Sequence, residues 1–510
     1  MYRALLSTSG FTLVSRITGF VRDIIMASIL PPGLQSDAFF VAFRLPNHFR
    51  TIFAEGAYNA AFVPLYAGLK ADGSSKAEDF ARNMLGWQIA IQIVLLGLAL
   101  AMMPWVVALL APGFTSKPEH ISLAVELTRI TFGYLLCIAI VTHLGGVLNA
   151  QGKFWAAAAA PVLLNIVMIV ALLTAISFPT AAHAVAWGVL AGGFAEVALM
   201  VIAALYAGIV VFPTMPRLTA DVKVFFTRFV PATIGAAGVQ LAMFADTIFA
   251  SFLAAGSFTS LYFADRINQL PMGVIAIALG TVLLPQVSKS IAAGDEKATN
   301  RAFARATEVG LLLTLPCTAA FLIIPDLIMA GLFARGAFDL SAADAAAAVL
   351  FAYAIGLPAF VVLRTVTPLF HGRGDTRSPV YATAVSIGVN LAFKGLFVVV
   401  LSMGVEGLAL ATAIGTWVNL LVLAIVGWRL KYVVVDRPLV RQVLPMLAAS
   451  VYAALIAGLM LQPALWFLAD VSTLKAEIYL GLMGVIGLGA YGVGLLAFGR
   501  RRVAATEARP

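Results

Sequence analysis

Residues 15–64 read SRITGFVRDIIMASILPPGLQSDAFFVAFRLPNHFRTIFAEGAYNAAFVP. The stretch is apolar enough to enter a bilayer, yet it holds Arg16, Arg22, Arg44 and Arg50 together with Asp23, Asp37 and Glu55. A Lys or Arg at the centre of a membrane helix costs roughly 2.5–3.5 kcal/mol on insertion scales. A chain that carries several such costs needs an offset: a water-filled cavity facing an anionic ligand, or carboxylate partners. Four arginines here stand against three acids, so at least one has no local acid. This predicts a membrane protein with a cationic central cavity and a cargo bearing phosphate or carboxylate.

The rest of the chain extends the reading. Of 510 residues 62% are hydrophobic and 11% charged, with a mean hydropathy of +0.99; soluble domains are about 25% charged. About fourteen apolar runs of helix-spanning length follow one another, near 4–30, 37–67, 84–111, 122–149, 155–178, 184–211, 224–254, 258–287, 304–332, 343–370, 378–402, 405–428, 442–462 and 474–498. Such runs are too long and continuous for barrel strands, so the expected fold class is all-α and polytopic. Arg3 with the apolar stretch behind it mimics a signal peptide. The stretch continues through Arg16, Arg22 and Asp23 to Leu30 without a small-residue cleavage site, so it reads as a retained first helix.

The net charge of +9 is a topology signal before it is anything else. Eight of the 33 Lys and Arg lie inside apolar runs: Arg16, Arg22, Arg44, Arg50, Arg129, Arg266, Arg364 and Lys394. One set of alternate loops holds only Lys117, Arg335 and Lys475, and the remainder crowd into the other set and the tail. That pattern puts both termini in the cytoplasm and argues against nucleic acid as a partner. Cys137 and Cys317 lie mid-helix with no disulfide or metal spacing. No phosphate-binding loop and no nucleophile–base constellation stands out. We therefore expect a transporter rather than an enzyme, with no cofactor and no metal.

Residues 22–64 and 245–285 repeat one another at an offset of about 222. Arg22-Asp23 through Leu30 aligns with Ala245-Asp246 through Leu253, Phe40 through Arg44 with Tyr262 through Arg266, and Val63-Pro64 with Leu284-Pro285. An even number of helices per copy gives the copies the same orientation. The expected organisation is a six-helix half over 1–215, a second over 216–435, and helices 13 and 14 with a basic tail over 436–510. In such folds cargo binds between the halves near the midplane, and the halves rock around it. Three charged groups follow. The first is the 15–64 set, where guanidiniums can grip phosphate bidentately; the alternative is internal pairing of Arg22 with Asp23 or Asp37 and of Arg50 with Glu55. The second is Asp246, Asp265 and Arg266, which either join the first across the cleft or pair elsewhere. The third is Asn390 with Lys394, one turn apart; a lysine beside an intramembrane acid can stand where a cation would bind, or it can snorkel to the interface.

These motifs resemble the MurJ/MviN family of bacterial lipid II flippases, in the multidrug/oligosaccharidyl-lipid/polysaccharide exporter superfamily. The resemblance is carried by Ser15-Arg16, Arg22-Asp23, Asp37 through Asn47, Arg50, Phe53 through Ala57 and Ala61 through Pro64. Ala264-Asp265-Arg266, Pro271, Gly273-Val274, Ala278 through Thr281, Leu284-Pro285 and Arg373 through Thr376 add to it. It implies fourteen helices, a cavity that opens inward and outward, and a cargo-tail groove on helices 13 and 14. It implies that Arg16, Arg22, Arg50 and Arg266 bind cargo and that Asp37 and Glu55 are portal or cavity acids; Asp23 and Asp265, beside two of these arginines, are expected to join them as gating or cavity acids. Some family members bind sodium through a helix 7 aspartate and an Asn-x-x-x-Asp pair on helix 11. Asp246 and Asn390 match, but Lys394 stands at the second aspartate, so a Lys394–Asp246 ion pair would replace the ion. The implied partners are an undecaprenyl-pyrophosphate-linked peptidoglycan precursor and membrane lipids, with the cell-wall synthesis machinery as a candidate. The implied state is a monomer in the bacterial inner membrane. A flippase for another lipid-linked polysaccharide, a drug or cation antiporter of the same fold, and a non-transporting scaffold are the competing readings; an arginine-rich cavity argues against a cation exporter.

Overall fold

A computed structural model gives the architecture. It describes the backbone of residues 2–50, 57–209, 212–434, 437–467 and 475–507. Side chains are described there too, except at 2–9, 49, 72, 74, 234–242, 274, 276–284, 437–438, 461–467, 475 and 499–507.

Among the described residues each of the fourteen apolar runs lies mainly on helix, because a helix alone satisfies its own backbone groups where water is absent. In order these are α1 (Tyr2–Ile29), α2 (Leu34–Phe49), α3 (Ala57–Asp72), α4 (Ser74–Ala101), α5 (Met103–Leu110), α6 (Pro118–Phe132), α7 (Tyr134–Ala150), α8 (Trp155–Leu173) and α9 (Ala181–Tyr206). They continue as α10 (Ala220–Ser251), α11 (Ser257–Ala292), α12 (Glu296–Ile323), α13 (Pro325–Phe333), α14 (Leu340–His371), α15 (Arg377–Lys394), α16 (Val405–Arg429), α17 (Arg437–Phe467) and α18 (Lys475–Glu507). Some runs are two helices. The run near 84–111 breaks at Met102, ahead of Pro104, which has no N–H to donate; the run near 122–149 breaks at Gly133.

Among the described residues ten helices are long and apolar enough to cross a membrane. The other four expected crossings are α1, α2 with α3, α10 and α11, the opening pair of each repeat. Each of these four elements includes positions outside the fully described set, 2–9 in α1, 51–56 between α2 and α3, 234–242 in α10 and 276–284 in α11, so the ten are counted without them.

By contact the chain forms two compact units, residues 1–259 with 335–338, and 260–334 with 339–510. In the first, α1 packs on α8, α8 on α9, α2 on α6, and α7 on α9. The opening helix of the second repeat, α10, packs on α3, α4 and α5. The contact boundary therefore lies beyond the repeat boundary expected near 215. In the second unit α14 packs on α16 and α12, α15 on α16, and α17 on α18 and α12.

Small residues set how close these helices lie, the usual device where lipid removes the hydrophobic drive between helices. A Cβ on Gly192 of α9 would sit 2.5 Å from Leu164 Cδ1 and 3.2 Å from Leu164 Cα of α8. Gly188, one turn away, meets Ala171 of the same helix, and Gly193 turns to Tyr134 and Cys137 of α7. Gly356 against Ala413 joins α14 to α16, and Gly494 against Ala449 joins α18 to α17, each with room for no Cβ. The α1–α2 turn needs Gly33, whose φ of 117° L side chains rarely adopt; its N–H donates to Ser36 Oγ at 3.0 Å.

Candidate functional site

The charged residues of the opening stretch occupy distinct places in the first unit. Arg16 is exposed on α1. Arg22 is buried, and its guanidinium is fixed on several sides. Nε and Nη2 donate to Asp23 Oδ1 at 3.0 and 2.6 Å, and Nη1 donates to Asn165 Oδ1 of α8 at 2.9 Å. Asp23 is fully buried. Neighbouring residues on a helix seldom meet; here the long Arg22 side chain folds back on its neighbour. Asn165 completes the arrangement by donating to Ser15 O at 3.1 Å and to Thr18 Oγ1 at 3.3 Å. One amide thus orients Arg22 and ties α1 to α8. Of the two local partners open to Arg22 in the sequence, the geometry brings it to Asp23.

Asp37 does something else. It lies 2% exposed at the start of α2, where Oδ2 accepts from Gly256 N–H at 2.7 Å. The Thr259 hydroxyl donates to Ser36 Oγ at 2.6 Å and reaches Asp37 Oδ1 at 3.5 Å. Asp37 therefore holds the turn between α10 and α11 onto the start of α2. Arg44 reaches α10, donating from Nη1 to Thr247 Oγ1 at 3.0 Å, with its guanidinium 5.4 Å from the Phe258 ring centre. Asp246 precedes Thr247 and is half-buried, as is Arg50. Glu55 lies outside the described residues.

The second unit holds the rest. Asp265 and Arg266 are half-buried on α11, with Asp265 accepting from the Gln269 amide at 2.5 Å. Lys394 is 1% exposed, so its ammonium is not at a surface. Asn390, one turn before it, donates to Thr412 Oγ1 of α16 at 3.3 Å, and its Oδ1 is buried without a hydrogen-bond partner among the described residues. Directly after Lys394 the helix widens into a π-helical turn over Gly395–Val400, a distortion frequent at functional sites. Arg364 is exposed with its guanidinium 4.9 Å from the Phe360 ring centre, and Arg129 is exposed on α6.

The sequence reading left several of these features out. Asn165 is the one strongly polar side chain in α8, and that isolation was a signal. Glu196 of α9, buried and accepting from Tyr134 OH at 3.1 Å, carried the same signal. His143 of α7 pairs through Nδ1 with Tyr58 OH of α3 at 2.6 Å, inside a cluster of Phe62 and Phe225. The Arg373-Gly374-Asp375-Thr376 loop is a rigid corner. Arg373 binds Glu296 at 2.5 Å and stacks on Tyr432, while Asp375 accepts from Ser378 N–H and Oγ at 3.0 and 2.6 Å.

Comparison with known proteins agrees with this architecture. The family model described as Lipid II flippase MurJ matches residues 26–476. A probable lipid II flippase MurJ of Rhizobium meliloti (strain 1021) is 39% identical over 435 residues, covering 83% of this chain and 80% of that one. Its counterpart from Rhizobium tropici is 36% identical over 456 residues, covering 88% and 85%. The lipid II flippase MurJ of Burkholderia cenocepacia is 34% identical over 433 residues, covering 83% of each. Among solved structures, a lipid II flippase MurJ in an inward closed conformation superposes with a TM-score of 0.79 at 23% identity, over 97% of this chain and 99% of that one. An inward-facing multidrug resistance transporter of the MATE family, MOP superfamily, shares the fold more distantly, with a TM-score of 0.67 at 17% identity over 82% and 94%. A profile match across most of the length, relatives above 30% identity and a shared fold all converge: this multi-span membrane protein belongs to the MurJ family.

Proposed function

We propose that this protein flips a polyprenyl-pyrophosphate-linked peptidoglycan precursor, lipid II, from the cytoplasmic to the periplasmic leaflet of the bacterial inner membrane by alternating access. The observation that carries the reading is the buried Arg22–Asp23–Asn165 arrangement, in a chain whose relatives are named lipid II flippases. A guanidinium held in a dry interior by one acid and one amide is oriented before any ligand arrives, and pre-orientation lowers the cost of gripping a pyrophosphate. The lipid tail stays in the bilayer while the polar head crosses.

In this reading Arg16, Arg22, Arg50 and Arg266 face one cavity between halves 1–215 and 216–435. Asp23, Asp37, Glu55 and Asp265 set their orientation and the gating. The tail lies along α17 and α18, the protein works as a monomer with both termini in the cytoplasm, and the cell-wall synthesis machinery supplies and removes the cargo. Lys394 pairs with Asp246 and takes the place of a sodium ion. Membrane potential, about 2.3 kcal/mol per charge per 100 mV, is then the available drive.

The test is reconstitution of the full chain in vesicles with labelled lipid II, reading transfer between leaflets. Transfer of lipid II but not of a zwitterionic phospholipid is the expected result; absence of lipid II transfer by protein that is folded and inserted overturns the reading.

A further inference from the structure

An apolar groove of about 570 Å³ runs along the outside of the first unit. Its floor and walls come from α4 between Trp87 and Met102, with Leu45 of α2, Val106 of α5 and Phe132 of α6 closing the sides. All of its lining side chains are apolar. Val94 and Leu98 are each 61% exposed, so the groove opens outward, along a helix apolar enough to cross the membrane.

Two observations say what fits it. The first is length. Trp87 to Met102 is about 22 Å of helix at 1.5 Å per residue, whereas one leaflet of a hydrocarbon core about 30 Å thick offers about 15 Å. With the Trp87 end of the groove at the interface and α4 along the bilayer normal, an acyl chain of an ordinary phospholipid would stop at the midplane while a groove of this length continues past it. The second is charge. At the Trp87 end the segment before α10 is clamped to α4: Trp87 Nε1 and Asn83 Nδ2 both donate to Arg217 O, at 3.1 and 2.8 Å, and Arg82 Nε donates to Phe212 O at 3.3 Å. This places Arg82 and the exposed Arg217 at one mouth of the groove, with the exposed Lys223 six residues further along the chain. We propose that this groove binds a polyprenyl phosphate, its single long chain lying along α4 past the midplane and its phosphate at Arg217 and Arg82. The site shares no residue with the Arg22 arrangement, and its test reads binding rather than transport, so it stands or falls separately from the flipping activity.

The experiment measures binding of undecaprenyl phosphate to the full-length protein in nanodiscs by native mass spectrometry, with farnesyl phosphate and dioleoyl phosphatidylglycerol as competitors. A benzophenone-tagged polyprenyl phosphate maps the site. The long chain is expected to outcompete both shorter-chain lipids by about tenfold, the equivalent of roughly two extra buried methylenes, and to label peptides of 87–106. Ala90→Phe and Ala99→Phe, which fill the groove from its smallest walls, should each weaken binding by about tenfold. Arg217→Glu should weaken it and flatten its salt dependence. Leu109→Phe, exposed and outside the groove, is the control for folding and should bind normally. Equal competition by phosphatidylglycerol overturns the long-chain assignment. Unchanged binding in folded Ala90→Phe and Ala99→Phe protein, or labelling elsewhere, overturns the site.

Discussion

Arg22 and Asp23 show how one residue pair can serve both folding and transport, and how to separate the two. Removing one member of a buried ion pair strands the other and costs about 3–5 kcal/mol, whereas replacing both by apolar groups of similar size is often neutral. Arg22→Ala should therefore lose transport and much of its stability together, because Asp23 is left buried without this guanidinium. The double variant Arg22→Leu with Asp23→Leu should recover thermal stability in detergent without recovering lipid II transfer. Arg22→Lys should fold and transfer at a reduced rate, since an ammonium cannot make the bidentate contact. A double variant that transfers lipid II at the native rate would show that Arg22 serves structure alone. Lys394 carries a second residue-scale prediction. If its ammonium supplies the charge a cation would bring, exchanging sodium for potassium at fixed membrane potential leaves transfer unchanged, and Lys394→Asp introduces sodium dependence through Asn390 and Asp246. A native protein slowed by sodium removal would end that idea. The sequence exposed Arg22, Asp23 and Lys394 because charge in an apolar run is conspicuous by its cost. It did not expose Asn165 as the partner of Arg22, because the α1–α8 contact is long-range and nothing in either helix alone encodes it.

At the scale of elements, hydropathy made the helices legible and packing decided the rest. Pro104 and Gly133 mark where runs break, and both are visible as residues. The π-helical turn after Lys394 is not. Nor could the sequence show that α10 packs on α3, α4 and α5, because membrane helices of similar polarity are interchangeable until small residues fix the close approaches. Gly192 is such a residue. Gly192→Leu should force α8 and α9 apart, lower the thermal midpoint in detergent and weaken the Arg22–Asn165 contact that α8 supplies, so transfer should fall although no charged group has changed. Retention of both stability and transfer would contradict the packing argument. The loop before α15 offers a pH-dependent counterpart. Hydrogen bonds from Ser378 hold the Asp375 carboxyl below its usual range. A depressed folded-state pKa means the stabilisation is present above the unfolded value and is lost as pH falls through the folded one. Asp375→Ala should thus be slightly less stable than the native protein at pH 7, the difference shrinking as the pH falls below the ordinary carboxylate value of about 4 and vanishing below the depressed folded-state value.

For the whole molecule, a topology of fourteen crossings requires α1, the α2–α3 segment, α10 and α11 to cross the membrane along with the ten helices long and apolar enough among the described residues. Their placement makes this requirement testable by parity. Alpha1 and the α2–α3 segment precede Ser177; α9, α10 and α11 lie between Ser177 and Lys297. If all four cross and the basic loops are cytoplasmic, Ser177 faces the periplasm and Lys297 the cytoplasm. Failure of α10 or α11 alone to cross would leave an even number of crossings between the two positions and put them on the same side. Failure of α1 or of α2–α3 alone would keep them opposite but exchange their sides. Single-cysteine variants Ser177→Cys and Lys297→Cys, in a chain with Cys137 and Cys317 replaced by alanine, should react with an impermeant maleimide from opposite faces of the membrane, Ser177→Cys in intact spheroplasts and Lys297→Cys only in inverted vesicles. Labelling from the same face points to α10 or α11, and labelling with the faces exchanged points to α1 or the α2–α3 segment. The outcome bears directly on function, because α1, α2, α10 and α11 carry Arg22, Arg44, Asp246 and Arg266, and those side chains can meet a cargo headgroup in mid-membrane only if the helices that bear them pass through it.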